Sequence, residues 1–184
     1  MSTETPHYTV PGMKVEEAGT VVGILQDRLH ALNDLALTLK HVHWNVIGPH
    51  FIAVHTMLDP QVDSVRAMVD DVAERIATLG GSPSGTPGAL VAARTWDDYS
   101  VGRDDAIAHL GALNLVYVGM IGDHRAAIDR TEEIDPVTQD LLITQSGQLE
   151  QYQWFVRAHL ETVDGTLRSA GAETERDAAA AAIS

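Results

Sequence analysis

The sequence contains no cysteine, which excludes disulfide bonds, thiolate metal sites and cysteine nucleophiles. Lysine is almost as scarce. Only Lys14 and Lys40 occur in 184 residues, and the 12 cationic residues face 26 acidic ones for a net charge of −14. A nucleic-acid binder uses a basic patch or tail to displace counterions from phosphate, and neither end of this chain supplies one. Residues 1–20 set Lys14 against Glu4, Glu16 and Glu17, and residues 169–184 set Arg176 against Glu173, Glu175 and Asp177. Such a surface attracts cations instead. No stretch approaches the roughly 18 unbroken apolar residues of a membrane span. The opening MSTETPHYTVPGMK has neither a basic start nor an apolar centre, so no secretory signal is expected and the expected location is the cytoplasm. Strand-like alternation and internal repeats are missing too.

What is present is helical periodicity. Leu25, Leu29, Leu32, Ala36, Leu39, His43 and Val46 recur in steps of three and four and stop at Gly48-Pro49, as an amphipathic helix would. A second stripe runs from His55 through Leu58, Val62, Val65, Val69, Val72 and Ile76 to Leu79, ending at Gly80-Gly81. Pro60 lies inside it and should bend it or remove one hydrogen bond. A third covers roughly 101–130. The fourth opens at Asp135-Pro136, an N-cap followed by a residue favoured at the first helical position, and continues to Val163. Helices one and two, and three and four, are joined tightly. Between two and three lie about twenty residues, long enough at ~3.3 Å each to cross a neighbouring helix. The predicted fold is therefore an all-α, ferritin-like four-helix bundle with one long crossover between helices two and three. It should occupy residues 20–165, with flexible tails at 1–19 and 166–184, the alanine-rich end fraying.

The second helix carries two faces. Roughly 110° from its apolar stripe on a helical wheel lie His55, Asp59, Asp70 and Glu74. Each i,i+4 pair can aim two ligands at one spot, and imidazole with carboxylates suits iron, manganese or zinc. Nineteen residues, about 28 Å of helix, separate His55 from Glu74, so the two pairs cannot hold one ion within a chain. Packed antiparallel against its own copy about a twofold axis near residues 64–65, the helix brings 55 and 59 of one chain to 74 and 70 of the other. Twofold interfaces are the commonest in homo-oligomers. His43, across the tight Gly-Pro turn, can complete each site, while His41 and His50 are expected to be surface residues or caps.

These residues carry a resemblance. The run KHVHWNVIGPHFIAVHTMLDPQVDSVRAMVDDVAERIATLGG supplies His43-Trp44-Asn45, Gly48, Phe51, His55, Asp59, Asp70 and Glu74-Arg75 without a gap. It resembles the Dps family, the ferritin-like DNA-protection-during-starvation proteins, as does QYQWFVRAHLE at 151–161. The resemblance covers about residues 20–165. It implies a hollow shell of twelve subunits that oxidises Fe²⁺, preferably with hydrogen peroxide, and stores ferric mineral against oxidative stress. The implied metal ligands are His43, His55 and Asp59 from one subunit and Asp70 and Glu74 from its partner, with Trp44 beside the site as a possible auxiliary. Zinc or manganese fits the same donors.

The tails depart from DNA-binding members of the family, which use lysine- or arginine-rich ends. The expected partner is the chain itself rather than DNA. A DNA-compacting scaffold, associated with the nucleoid and turning over little iron, is the alternative. A zinc- or manganese-occupied dimer site without turnover is a third reading. Finally, RTEEIDPVTQD packs Glu132, Glu133, Asp135 and Asp140 into eleven residues. Carboxylate rings admit cations through pores, and the family places an acidic pore in this region. Glu133, Asp135 and Asp140 are the candidates, set against ordinary helix-end roles for Asp135 and Asp140.

Overall fold

The computed structural model describes residues 6–184. Six helices follow one another: α1 (Val15–Asn45), α2 (Phe51–Thr78), α3 (Pro87–Ala93), α4 (Ala106–Thr131), α5 (Pro136–Ala158) and α6 (Glu175–Ala182). Two strands of two residues, β1 (Val46–Ile47) and β2 (Asp104–Asp105), pair in parallel. α1 packs on α2 and α4 on α5, and the hairpins meet through α1 with α4 and α2 with α5. The apolar stripes close into one core, in which Leu25, Leu32, Leu39, Leu58, Val65, Val72, Leu113, Tyr117 and Leu149 are fully buried. Pro60 leaves α2 unbroken. Tyr117 cannot leave its hydroxyl unpaired at this depth, and it donates to Gln61 Oε1 at 2.8 Å. By length and composition α4 is the one helix among the described residues that passes for a membrane span. Its Leu110, Leu113 and Tyr117 are instead the inner wall of the bundle.

The long crossover is tied down along its whole course. Gly80 and Gly81, which end α2, lie against Tyr8 and Val22, near the start of α1. β2, which begins α4, pairs with β1 at the other end of α1. Residues 79–105 must therefore travel the length of α1, and side chains of α1 hold them in order. Gln26 exchanges two hydrogen bonds with the backbone of Ser84 (2.9 and 2.8 Å). Asp34 accepts from Trp96 Nε1 (2.7 Å) and from Arg94 (3.4 Å). His41 Nε2 meets the carbonyl of Val101 at 3.0 Å. His41, expected as a surface or cap residue, is a staple of the crossover, packed edge-on to Tyr99. His50 does hold the N-cap position of α2, exposed and with no side-chain capping bond.

Both expected tails need correction. α1 begins at Val15, inside the segment 1–19, because Glu17 at the third helical position accepts from the backbone N–H of Lys14 (3.2 Å) and from its Nζ (2.9 Å). Val10 and Met13 pack on the core ahead of it. Residues 1–5 of that expected tail lie outside the described residues. At the other end α5 stops at Ala158, so Val163 is fully exposed instead of extending the fourth stripe. The alanine-rich terminus does not fray. Thr174 caps α6 by accepting from Asp177 N at 3.2 Å, and Ala178, Ala179 and Ala182 are buried against α4. The approach is close because both sides are small. A Cβ on Gly111 would run into the carbonyl of Ala178 and the methyl of Ala182.

Candidate metal centre

The tight connection between α1 and α2 assembles the first half of the site. Gly48 turns the chain with φ +95°, a conformation costly for a residue with a Cβ, and any Cβ there would strike the carboxylate of Asp105. The turn lays the last turn of α1 beside the first turns of α2. His43 Nδ1 meets the carbonyl of His55 at 2.9 Å, and His55 Nδ1 meets the carbonyl of His43 at 2.9 Å. A carbonyl only accepts, so both Nδ1 atoms carry the proton. With Nδ1 so engaged, Nε2 is the atom of each ring left to bind a metal, the arrangement by which an outer hydrogen bond prepares a histidine for that role. The rings stack with centroids 3.7 Å apart and 22° between planes, and Phe51 leans on His55 at 4.9 Å. His43 is buried and His55 half-buried.

Asp59, one turn beyond His55, lies 3.3 Å from His43 Nδ1 through its Oδ1. The same oxygen accepts from Lys40 Nζ at 2.8 Å. That bond is the main reason its carboxyl sits below the usual aspartate range, helped by the neighbouring His43, the Lys40 charge and His55. Lys40 was not among the expected site residues. Its spacing three before His43, and its being one of two lysines in the chain, were the available signals.

Asp70 and Glu74 share the exposed face of α2, about 28 Å of helix from His55. Among the described residues, no three His, Asp or Glu side chains converge in a single chain as a metal-holding group. The chain thus presents two separate groups of donor side chains, one of histidines with Asp59 and one of two carboxylates. Trp44, on the turn of His43, is 71% exposed.

Of the acidic run at the start of α5, Glu132 and Glu133 before the helix and Asp140 within it are exposed. Asp135 is not. Its carboxylate is buried, accepts from Arg75 Nη2 at 2.7 Å and from Thr138 Oγ1, and Thr138 takes a second bond from Arg75 Nε at 2.9 Å. Burial pushes the Asp135 carboxyl up. The bonds from Thr138 and Arg75, with the guanidinium charge, outweigh it and hold the group below its ordinary value. Asp135 keeps the N-cap position of α5, but as a pore-lining carboxylate the expectation is corrected: its charge is spent on Arg75, inside the hairpin contact.

Two antiparallel hairpins joined by a crossover, with a histidine and carboxylate face on the second helix, define a ferritin-like protein, and a ferritin-like domain matches residues 22–166. Within that class the likeness is specific. A DNA protection during starvation protein of Mycolicibacterium smegmatis is 59% identical over 172 residues, 94% of each chain. The structure of DpsA14 from Streptomyces coelicolor is 68% identical with TM-score 0.88, covering 90% of this chain and 98% of that one. Dps from Microbacterium arborescens, solved in a high iron form, is 29% identical with TM-score 0.75, covering 83% and 97%. The chain belongs to the Dps family.

Proposed function

We propose that the protein assembles as a shell of twelve copies and works as a ferroxidase and iron store. The observation that carries this reading is the reciprocal Nδ1–carbonyl pair of His43 and His55, which turns both Nε2 atoms away from the backbone and free for a metal, with Asp59 Oδ1 held 3.3 Å from His43 Nδ1. Across a twofold axis near residues 64–65, Asp70 and Glu74 of a second copy complete the donor set. Two neutral imidazoles and three carboxylates suit ferrous iron as substrate, and zinc or manganese competes for the same atoms. Carboxylate charge favours the ferric product over the ferrous substrate, which lowers the barrier to electron loss. Each peroxide takes one electron from each of two ferrous ions and, with two protons, leaves two waters. Peroxide is thereby reduced without releasing hydroxyl radical, and DNA is protected with no contact to it. The net charge of −14 per chain opposes phosphate binding, which would be electrostatic. Trp44, next to His43, is an auxiliary for stray oxidising equivalents.

The test is ferrous oxidation followed by electron microscopy. Anaerobic protein given Fe²⁺ and hydrogen peroxide should turn iron over faster than under air and yield shells with dense cores. Equal rates with and without protein would sink the ferroxidase reading. Glu133, exposed in the turn before α5, and Asp140, exposed in the first turns of α5, are the proposed lining of an entry pore. In the same assay Glu133→Gln/Asp140→Asn should slow uptake at low ionic strength and lose that effect as salt screens the field. Unchanged kinetics at low salt would take this turn off the iron path.

A further inference from the structure

Away from the histidine pair, a cavity of about 530 Å³ opens between α1, the crossover, α4 and the start of α6. Its volume lies in the range of small-ligand sites. The floor is apolar, made by Leu35 of α1 with Val116 and Met120 of α4. Its charged lining is one-sided, with six carboxylates against the single cation Arg176. Some of those carboxylates are satisfied within the protein: Asp34 by Trp96 and Arg94, Asp98 by Arg94, and Glu175 by the backbone and hydroxyl of Ser100. Others are not. Asp97 and Glu173 are exposed and have no ion-pair partner among the described residues, whereas Asp123, 66% exposed, accepts one long bond from Arg28 at 3.5 Å.

The placement of these charges selects a shape. Asp123 stands level with Arg28, and Glu175, two residues after Glu173, stands by Ser100, which lies beside the stretch of α1 leading to His41. Along α1 those levels are on the order of 15 Å apart, with the apolar floor between them. An inorganic cation gains nothing from that floor. A linear aliphatic chain with cationic nitrogens does, because its methylenes leave water against Leu35, Val116 and Met120 while its ammonium ends meet the carboxylates. The indole of Trp96, fixed at the rim by Asp34, adds a ring to which an ammonium is attracted.

We propose that this groove binds a linear aliphatic polyamine, one molecule per chain, at a site separate from the iron centre. The probe is spermidine, titrated calorimetrically into the assembled full-length protein in about 0.15 M salt, where diffuse counterion binding is screened over about 8 Å. A saturable site of one spermidine per chain is expected. Asp97→Asn/Glu173→Gln should weaken it by at least about tenfold, since both rim charges then fail to meet an ammonium. Gly119→Phe separates the groove from its charge. Gly119 lines the cavity with open space around its Cβ position, so the ring fills the groove and leaves every carboxylate in place. That variant should lose spermidine binding while its melting temperature and ferrous oxidation stay unchanged. Three outcomes would overturn the proposal: wild-type affinity in Gly119→Phe, wild-type affinity in the double charge variant, or displacement of spermidine by Mg²⁺ at equal ionic strength.

Discussion

Replacing Asp70 and Glu74 together by alanine is expected to lower peroxide-driven ferrous oxidation by more than about 100-fold, beyond the 10–100-fold typical of losing a group that only supports a metal ligand. Both side chains lie on the exposed face of α2, off the buried stripe of Val65, Met68, Val72 and Ile76. Their removal therefore leaves the core intact, and alanine is the best helix former. Unfolding of the variant should stay within about 0.5 kcal/mol of the parent, as for surface substitutions away from special features. Stopped-flow oxidation and chemical denaturation measure the two sides. Retained activity would strip these carboxylates of their role, and a collapse of stability would make the loss of activity uninformative.

The second large effect concerns stability, at the contact of α2 with α5. Arg75→Met should cost about 3–5 kcal/mol, the usual penalty for leaving one half of a buried ion pair without its partner. Arg75 and Asp135 are 14% and 7% exposed at their side chains, and Thr138 is fully buried between them, so water cannot replace the guanidinium. The pH dependence follows from the depressed Asp135 carboxyl. A carboxyl held below its unfolded value contributes stability that is fully present above that value, ordinarily 3.8. That contribution is lost as pH falls through the lower folded value. Between neutrality and about pH 5 the parent should therefore show little loss from this group, and below its ordinary value a progressive one. Arg75→Met/Asp135→Leu removes both charges and should recover most of the loss at neutral pH, since a well-packed apolar pair commonly matches a buried ion pair. Urea midpoints of the parent and both variants across this range check the sign and the size. A midpoint for Arg75→Met equal to that of the parent would contradict the buried pairing.

The four main helices were legible because each buries a stripe at helical spacing, and the crossover because only a long segment can return the chain along a helix. The termini were not. The stripe of α1 extends back through Ala18, Val21 and Val22, but the pair that starts the helix, Lys14 with Glu17, is a local hydrogen-bonding event with no periodicity. α6 was hidden for a different reason. A run of alanines has no apolar contrast to read, and its burial depends on Gly111, far back in the sequence. The candidate pairs on α2 could be read from i,i+4 spacing, and their separation within one chain from the length of α2. Lys40 was missed because a lone lysine on a helix ordinarily points to water. Asp135 was misread because the sequence shows an acidic turn and cannot show that Arg75 reaches across from α2 to bury one of its charges.

Sharing of the iron site between chains is most directly tested by mixing two inactive proteins. His43→Ala/His55→Ala keeps Asp70 and Glu74, and Asp70→Ala/Glu74→Ala keeps both histidines and Asp59. After dissociation and reassembly together, a mixed twofold pair holds one intact site and one that lacks all four replaced side chains. The account predicts that peroxide-driven ferrous oxidation reappears in the mixture and in neither parent reassembled alone. No recovery, with mixed shells verified by mass spectrometry, would contradict it and place the iron chemistry elsewhere.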